Sequence, residues 1–233
     1  MDFPEILKFV LRISIERNKV MDNFIIFDFD GTIIDSRDLI IQLYNEIAER
    51  DNYKKIDKLD VVKLSNLSIT ERCRSLNIPM YKIPSIVLEV GKHYKRNLSN
   101  LRIKDRVSEL LCSLEKEGFR LGIISSNEKS NIIEFLKINH VDIFEIIFSE
   151  KNIFGKHHAI NKFIKKLNLE IKNTIYIGDE VRDIISCKKV GIKVIAVTWG
   201  YDSPNFLLEN KPDFIANDPS EILNIVINHF GKK

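Results

Sequence analysis

The stretch Phe24–Phe27, "FIIF", runs without alternation into Asp28, and Asp30 follows after one aromatic residue. A strand with one wet face alternates apolar and polar residues, whereas an unbroken apolar run is buried on both faces. Burial of that kind needs helices on both sides of a sheet, the arrangement of parallel α/β proteins. Further strand-like runs occur at Arg120–Ile124, Ile146–Phe148, Thr174–Ile177 and Lys193–Val197, with a weaker one at Phe214–Ala216. Helical patterns separate them from Asp105 onward. In "RVSELLCSLEKEG", Val107, Leu110, Leu111 and Leu114 share one face, and Gly118 supplies a helix stop. "DIISCKKVG" repeats the design and ends at Gly191. This alternation predicts βαβ units and an α/β fold with a doubly wound, Rossmann-like parallel sheet.

Residues 37–104 interrupt the pattern. They contain helical stretches such as "LIIQLYNEIAER" and "IVLEVGKHYKRNL" but no convincing strand. The predicted organisation is therefore an N-terminal helical extension over 1–20, a catalytic core over 21–36 and 105–233, and an inserted α-helical cap over 37–104. In the extension, Asp2, Glu5, Lys8 and Arg12 interrupt the apolar residues, which argues for an amphipathic helix and against a secretory signal.

Composition narrows the function classes. A formal net charge of +3 over 233 residues gives no strong field for nucleic acid or an anionic membrane. No apolar run approaches membrane-spanning length. Cys73, Cys112 and Cys187 are far apart, which predicts reduced thiols and a cytoplasmic protein without a zinc site. A monomer or weak homodimer is expected.

Ligands of open parallel sheets bind at the carboxyl ends of the strands. Polar signals fall at four such ends: Asp28 and Asp30 after the first, Ser125, Ser126 and Asn127 after the second, Lys156 after the third, and Asp179 and Asp183 ("GDEVRD") after the fourth. Buried carboxylates of like charge need compensation, and a divalent cation supplies it. Aspartate oxygens are hard ligands that suit Mg²⁺, which keeps waters and shares itself with a phosphate. Lys156, the Ser125 hydroxyl and turn N–H groups are what a phosphoryl group needs around it. Asp28 is then placed to act as nucleophile, forming an aspartyl phosphate. Asp30, two residues on, can protonate the leaving alkoxide and later deprotonate water. Gly31 gives the tight turn, and Thr32 can bond across it.

"DFDGTIIDS", the serine of "IISSN", Lys156 and "GDEVRD" together resemble the haloacid dehalogenase superfamily, in its phosphoglycolate-phosphatase-like branch with a helical cap after the first motif. The resemblance implies Asp28 as nucleophile and Asp30 as acid/base whose main-chain oxygen also binds Mg²⁺. It implies Asp179 as metal ligand, Asp183 as ligand or outer partner, and Ser125 and Lys156 holding phosphate; Thr32, Ser126 and Asn127 are further candidates for binding it. The glycine usual in the early cap helix is absent, and "KLSNLS" stands there. The expected activity is Mg²⁺-dependent hydrolysis of a small, phosphoglycolate-like phosphomonoester. The alternatives are a sugar phosphomutase of the same branch and a non-enzymatic phospho-receiver. Residues 37–104 hold 14 Lys and Arg against 8 Asp and Glu. That excess predicts a second anionic group on the substrate, drawn in by a basic cap.

Overall fold

A computed structural model of the chain describes residues 23–150 and 155–231. The helix expected over residues 1–20 lies outside them. The described residues form one six-stranded parallel sheet: β1 (Phe24–Phe27), β2 (Arg120–Ser125), β3 (Phe144–Ser149), β4 (Thr174–Gly178), β5 (Lys193–Val197) and β6 (Phe214–Ala216). The spatial order is β3-β2-β1-β4-β5-β6, the doubly wound order in which the chain reverses direction across the sheet between β1 and β4. Phe27 pairs with Ile123 on one side and Ile177 on the other. The crevice at the switch point therefore opens directly above Asp28.

The apolar run that predicted two-sided burial is buried on both sides. Ile25 and Phe27 belong to one core with Leu110, Leu111 and Leu114 of the helix Val107–Lys116. Phe24 and Ile26 belong to the opposite core with Ile160 and Phe163 of the helix Lys156–Leu167. All four strand residues are at most 1% exposed, and burying each side chain contributes roughly 1.5–3 kcal/mol. Strands β1, β5 and β6 have the predicted bounds. β3 begins two residues earlier than expected, at Phe144, because this edge strand is only partly buried and its apolar pattern fades at that end.

Between β1 and the second strand's helix lie four α-helices: α1 (Arg37–Asp51), α2 (Lys58–Leu64), α3 (Ile69–Ser75) and α4 (Ile83–Lys95). Capping boxes start α2 at Asp57 and α3 at Ser68. The first three, with the turns that join and follow them, hold a small core of their own, in which Tyr44, Ala48, Leu64 and Leu76 are buried together, while Tyr94 of α4 belongs to the sheet core of Ile25 and Phe27. The chain leaves and re-enters the sheet through two adjacent linkers. Ile34 and Ile103 form an antiparallel bridge. Asp35 N–H donates to the Arg102 carbonyl at 3.0 Å, and Lys104 N–H to the Ile33 carbonyl at 2.9 Å. Core helices α5 (Val107–Lys116), α6 (Lys129–Ile138), α7 (Lys156–Leu167), α8 (Val181–Val190), α9 (Pro204–Glu209) and α10 (Pro219–Gly231) complete the layers.

Candidate active site

Asp28 is the first residue beyond β1, and its N–H donates to the Ile177 carbonyl of β4 at 2.8 Å. This bond extends the strand register by one step and fixes the carboxylate beside the turn that follows β4. Gly31 then turns the chain at φ +81°, a conformation that glycine adopts without strain. The Ile33 and Ile34 N–H groups both bond back to the Phe29 carbonyl.

On the other side of the crevice, α8 starts with a capping box between Glu180 and Asp183. The Glu180 N–H donates to Asp183 Oδ2 at 3.2 Å. This motif turns Asp183 inward and leaves Asp179 at the very end of β4. Thr32 Oγ1 donates to Asp179 Oδ1 at 2.8 Å, and the Tyr201 N–H donates to Asp179 Oδ2 at 2.7 Å. Side chains on Gly31 or Gly200 would overlap the Asp179 carboxylate, so both glycines are needed for the acid to sit there.

Asp28, Asp179 and Asp183 can each offer an oxygen within 4.8 Å of the others'. Asp179 and Asp183 are 0% exposed and Asp28 is 2% exposed. Lys156, at the start of α7 and 4% exposed, bridges two of them: its Nζ lies 3.0 Å from Asp28 Oδ2 and hydrogen-bonds Asp183 Oδ1. Burial pulls the lysine's pKa down, but the charges of Asp183 and Asp28 more than offset this and hold it above its ordinary value. Burial pushes Asp183 up to about 6 against the pull of Lys156. Burial, helped by the charges of Glu180 and Asp28, holds Asp179 well above the carboxylate range. The charges of Lys156 and the nearby Arg182 are thus too little for these dry carboxylates and their neighbour Glu180.

These residues fit a divalent cation. Asp28 Oδ2 is buried and has no hydrogen bond, because the nearby ammonium is not aligned with it. Its ion pair with Lys156 is shared with Asp183, so the oxygen keeps a lone pair to give a cation, and three carboxylates form a hard donor set suited to Mg²⁺ rather than to a soft metal.

The Asp30 carboxylate points the other way. It is half-buried and accepts from Tyr94 Oη at 2.6 Å, Ser36 Oγ at 2.8 Å and Asn127 Nδ2 at 3.0 Å. Ser36 in turn meets the Tyr201 hydroxyl at 2.7 Å. Burial raises the Asp30 pKa although the three donors pull it down. Two expected phosphate ligands are committed elsewhere: the Thr32 hydroxyl to Asp179, and the Asn127 amide to Asp30. Ser125 Oγ accepts the Asn127 N–H at 3.0 Å, which leaves its own proton free to donate. Ser126 lines the cavity above the site. Sequence reasoning missed Tyr94, Ser36 and Gly200. Only Ser36 carried a signal, as the last residue of the first motif.

The inserted helices reach the site at further points. Arg72 on α3 pairs with Asp202 and lies 3.7 Å from Glu180. The Ser203 N–H donates to the Ser65 carbonyl at 2.9 Å, and Ser203 Oγ to Asn66 at 2.6 Å.

Comparison with known proteins agrees with this geometry. A family model for haloacid dehalogenase-like hydrolases matches residues 25–197. The chain belongs to the haloacid dehalogenase-like hydrolase family. It is a hydrolase of the phosphatase kind. A phosphoglycolate phosphatase from Synechococcus elongatus is 30% identical over 203 residues, 87% of this chain and 96% of that protein. The pyrophosphatase PpaX from Halalkalibacterium halodurans is 23% identical over 209 residues, 88% of this chain and 96% of that one. A haloacid dehalogenase-like hydrolase from Streptococcus pneumoniae shares the fold with a TM-score of 0.75 at 22% identity, covering 88% of this chain and 99% of that structure. A "predicted phosphatase" from Clostridium acetobutylicum gives 0.75 at 21% identity, covering 88% and 98%. Phosphatases of this family generally use a divalent metal, and the described residues contain a buried acidic cluster that could hold one. No helix among the described residues is long and apolar enough to cross a membrane.

Proposed function

We propose that this phosphatase hydrolyses a small phosphomonoester with Mg²⁺ as cofactor, through a covalent phosphate on Asp28. One observation carries the reading: Asp28 Oδ2 is buried without a hydrogen bond, beside Lys156 Nζ and two further carboxylates. A dry carboxylate oxygen with no hydrogen bond keeps a lone pair for attack, and the two oxygens of Asp28 can divide metal binding and attack between them. Held by Asp28, Asp179 and Asp183, Mg²⁺ would neutralise phosphoryl charge and offset the repulsion among the acids.

The chain's own residues divide the remaining work. An Asp28 oxygen attacks phosphorus, forming an O–P bond as the bond to the leaving oxygen breaks. Lys156 and the Ser125 hydroxyl hold phosphoryl oxygens. Asp30, directed by Tyr94, Ser36 and Asn127, gives its proton to the leaving oxygen. In the second half it takes a proton from water, which attacks phosphorus. Inorganic phosphate departs and the free Asp28 carboxylate returns. The helices of 37–104 act as a cap that covers this exchange and meets the organic part of the substrate.

The test is release of inorganic phosphate from a broad panel, with and without Mg²⁺. Phosphoglycolate and pyrophosphate belong in the panel because the relatives named for them match most of this chain. Metal-dependent release from at least one monoester is expected, and no release from any of them would overturn the reading.

A further inference from the structure

Above Asp30, between the inserted helices and the sheet edge, lies a chamber of about 370 Å³. Its floor is polar, with Asp30, Ser126 and Asn127. Its walls are apolar, with Ile40 and Tyr44 from α1, Leu64 from α2, Ile69 from α3, and Ile86 and Val87 from α4. At roughly 30 Å³ of liquid volume per water, the chamber has room for about twelve waters, or an organic group of about a dozen non-hydrogen atoms. A two-carbon acid would leave most of it unfilled.

The charges of the chamber give no reason for a second anion. Arg37, Arg72 and Arg182 line it, and so do Asp30, Glu128 and Glu180, so cations and acids balance. Arg72 is held by Asp202 and Glu180, and Arg182 Nε bonds Glu180 at 2.6 Å. Arg37 stands over the Tyr201 ring, 5.9 Å from its centroid. Of the 14 basic residues in 37–104, only Arg37 and Arg72 line the chamber. The basic excess expected to face the cleft lies elsewhere on the helices, where it is solvated.

We propose that this chamber takes the organic part of the substrate and that this part is an uncharged, largely apolar group of about a dozen non-hydrogen atoms. The inference rests on the phosphatase reading for its orientation: the phosphate at Asp28 and Lys156, the leaving oxygen at Asp30, and the apolar remainder among α1 to α4. Placed this way, binding and leaving-group protonation are served by one continuous site.

The experiment separates this inference from the phosphatase reading. With Mg²⁺ present, calorimetry measures binding of ethylphosphonate, hexylphosphonate and 3-phosphonopropionate, none of which can be hydrolysed. Each methylene that leaves water for an apolar wall is worth about fourfold. At least a tenfold tighter Kd from ethyl to hexyl is therefore expected. Val87→Phe, which fills the chamber while keeping it apolar, should erase most of that gain and leave ethylphosphonate binding unchanged. Equal affinity for the two alkyl chains, or tighter binding of 3-phosphonopropionate than of hexylphosphonate, would overturn the inference. Phosphate release from ethyl and hexyl phosphate is measured alongside. Chain-length-dependent binding without release from these two esters or from any ester of the panel supports the chamber and removes the phosphatase reading. Release with flat binding does the reverse.

Discussion

Tyr94, on the last inserted helix, donates its hydroxyl to the carboxylate of Asp30 at 2.6 Å across 64 residues of chain. Ser36 in the linker and Asn127 beyond β2 hold the same carboxylate. Linker, insert and sheet therefore converge on the proposed acid/base, which is oriented fully only when the insert is in place. Tyr94→Phe keeps the buried ring and removes the donor. It should lower kcat about tenfold or more on an alkyl phosphate, the scale of a lost hydrogen bond to a charged group. The loss should be much smaller on p-nitrophenyl phosphate, whose leaving group needs no proton. Asp30→Asn should show the same contrast more strongly, at roughly 10²–10⁴. Equal losses on both esters would show that Asp30 serves only structure or charge.

Asp28 faces a different test. Asp28→Asn retains shape and removes the nucleophile, so turnover should vanish while the melting temperature holds or rises as one buried negative charge goes. Acid-quenched wild-type protein exposed to labelled substrate should carry label on Asp28. Turnover in the variant above roughly a thousandth of wild type would rule out the covalent route, since residual rates of that order survive loss of a nucleophile in other enzymes.

The sheet was legible because two-sided burial leaves an unbroken apolar run, as in "FIIF" and "TIYI". The acids were legible because strand ends converge in an open parallel sheet, whatever the intervening sequence. Side-chain direction was not. Thr32 and Asn127 stand where phosphate ligands were expected, yet they bond Asp179 and Asp30. A strand-end position fixes where the Cα sits, while the turn geometry chooses the partner. Tyr94 looked like an ordinary helix residue, because the face that α4 presents to the site is set by its packing against α1. Arg72 and Asp202 pair across 130 residues, and no local pattern marks either one.

Away from the site, Asp218 reports on acid stability. Its carboxylate accepts the Ser220 hydroxyl at 2.6 Å and the Ser220 N–H at 2.9 Å at the start of α10, and it pairs with Arg106 at 2.6 Å. These bonds, Ser220's foremost, hold its pKa down at about 2, below the ordinary value of about 3.9. A depressed acid binds fewer protons folded than unfolded, so its stabilisation is complete above the unfolded value and is lost as pH falls through the folded one. Asp218→Asn should therefore melt below wild type at pH 5–7, and the two curves should converge between about pH 4 and pH 2. A gap that stays constant across that range would show that the carboxylate's charge contributes nothing.

The metal prediction follows from how Asp179 is held. Thr32 and the Tyr201 N–H aim both of its oxygens, and Gly31 and Gly200 leave the space it occupies. Without a cation, Asp28, Asp179 and Asp183 repel one another, and Lys156 answers only part of that charge. Mg²⁺ at about a hundred times its Kd should stabilise the fold by about 2.7 kcal/mol. For a chain of this size that is a rise in melting temperature of roughly 5–10 °C, reversed by EDTA. Asp179→Asn should abolish the rise, and in EDTA it should melt no lower than wild type, because it relieves the repulsion. Gly200→Ala should also abolish the rise, but for the opposite reason. Its methyl overlaps the Asp179 carboxyl without removing an acid from the site, so the metal-free protein should melt lower than wild type. Opposite shifts in EDTA with a common loss of the Mg²⁺ response would separate ligand chemistry from steric fit. A Mg²⁺ response that survives in both variants would move the metal away from Asp179.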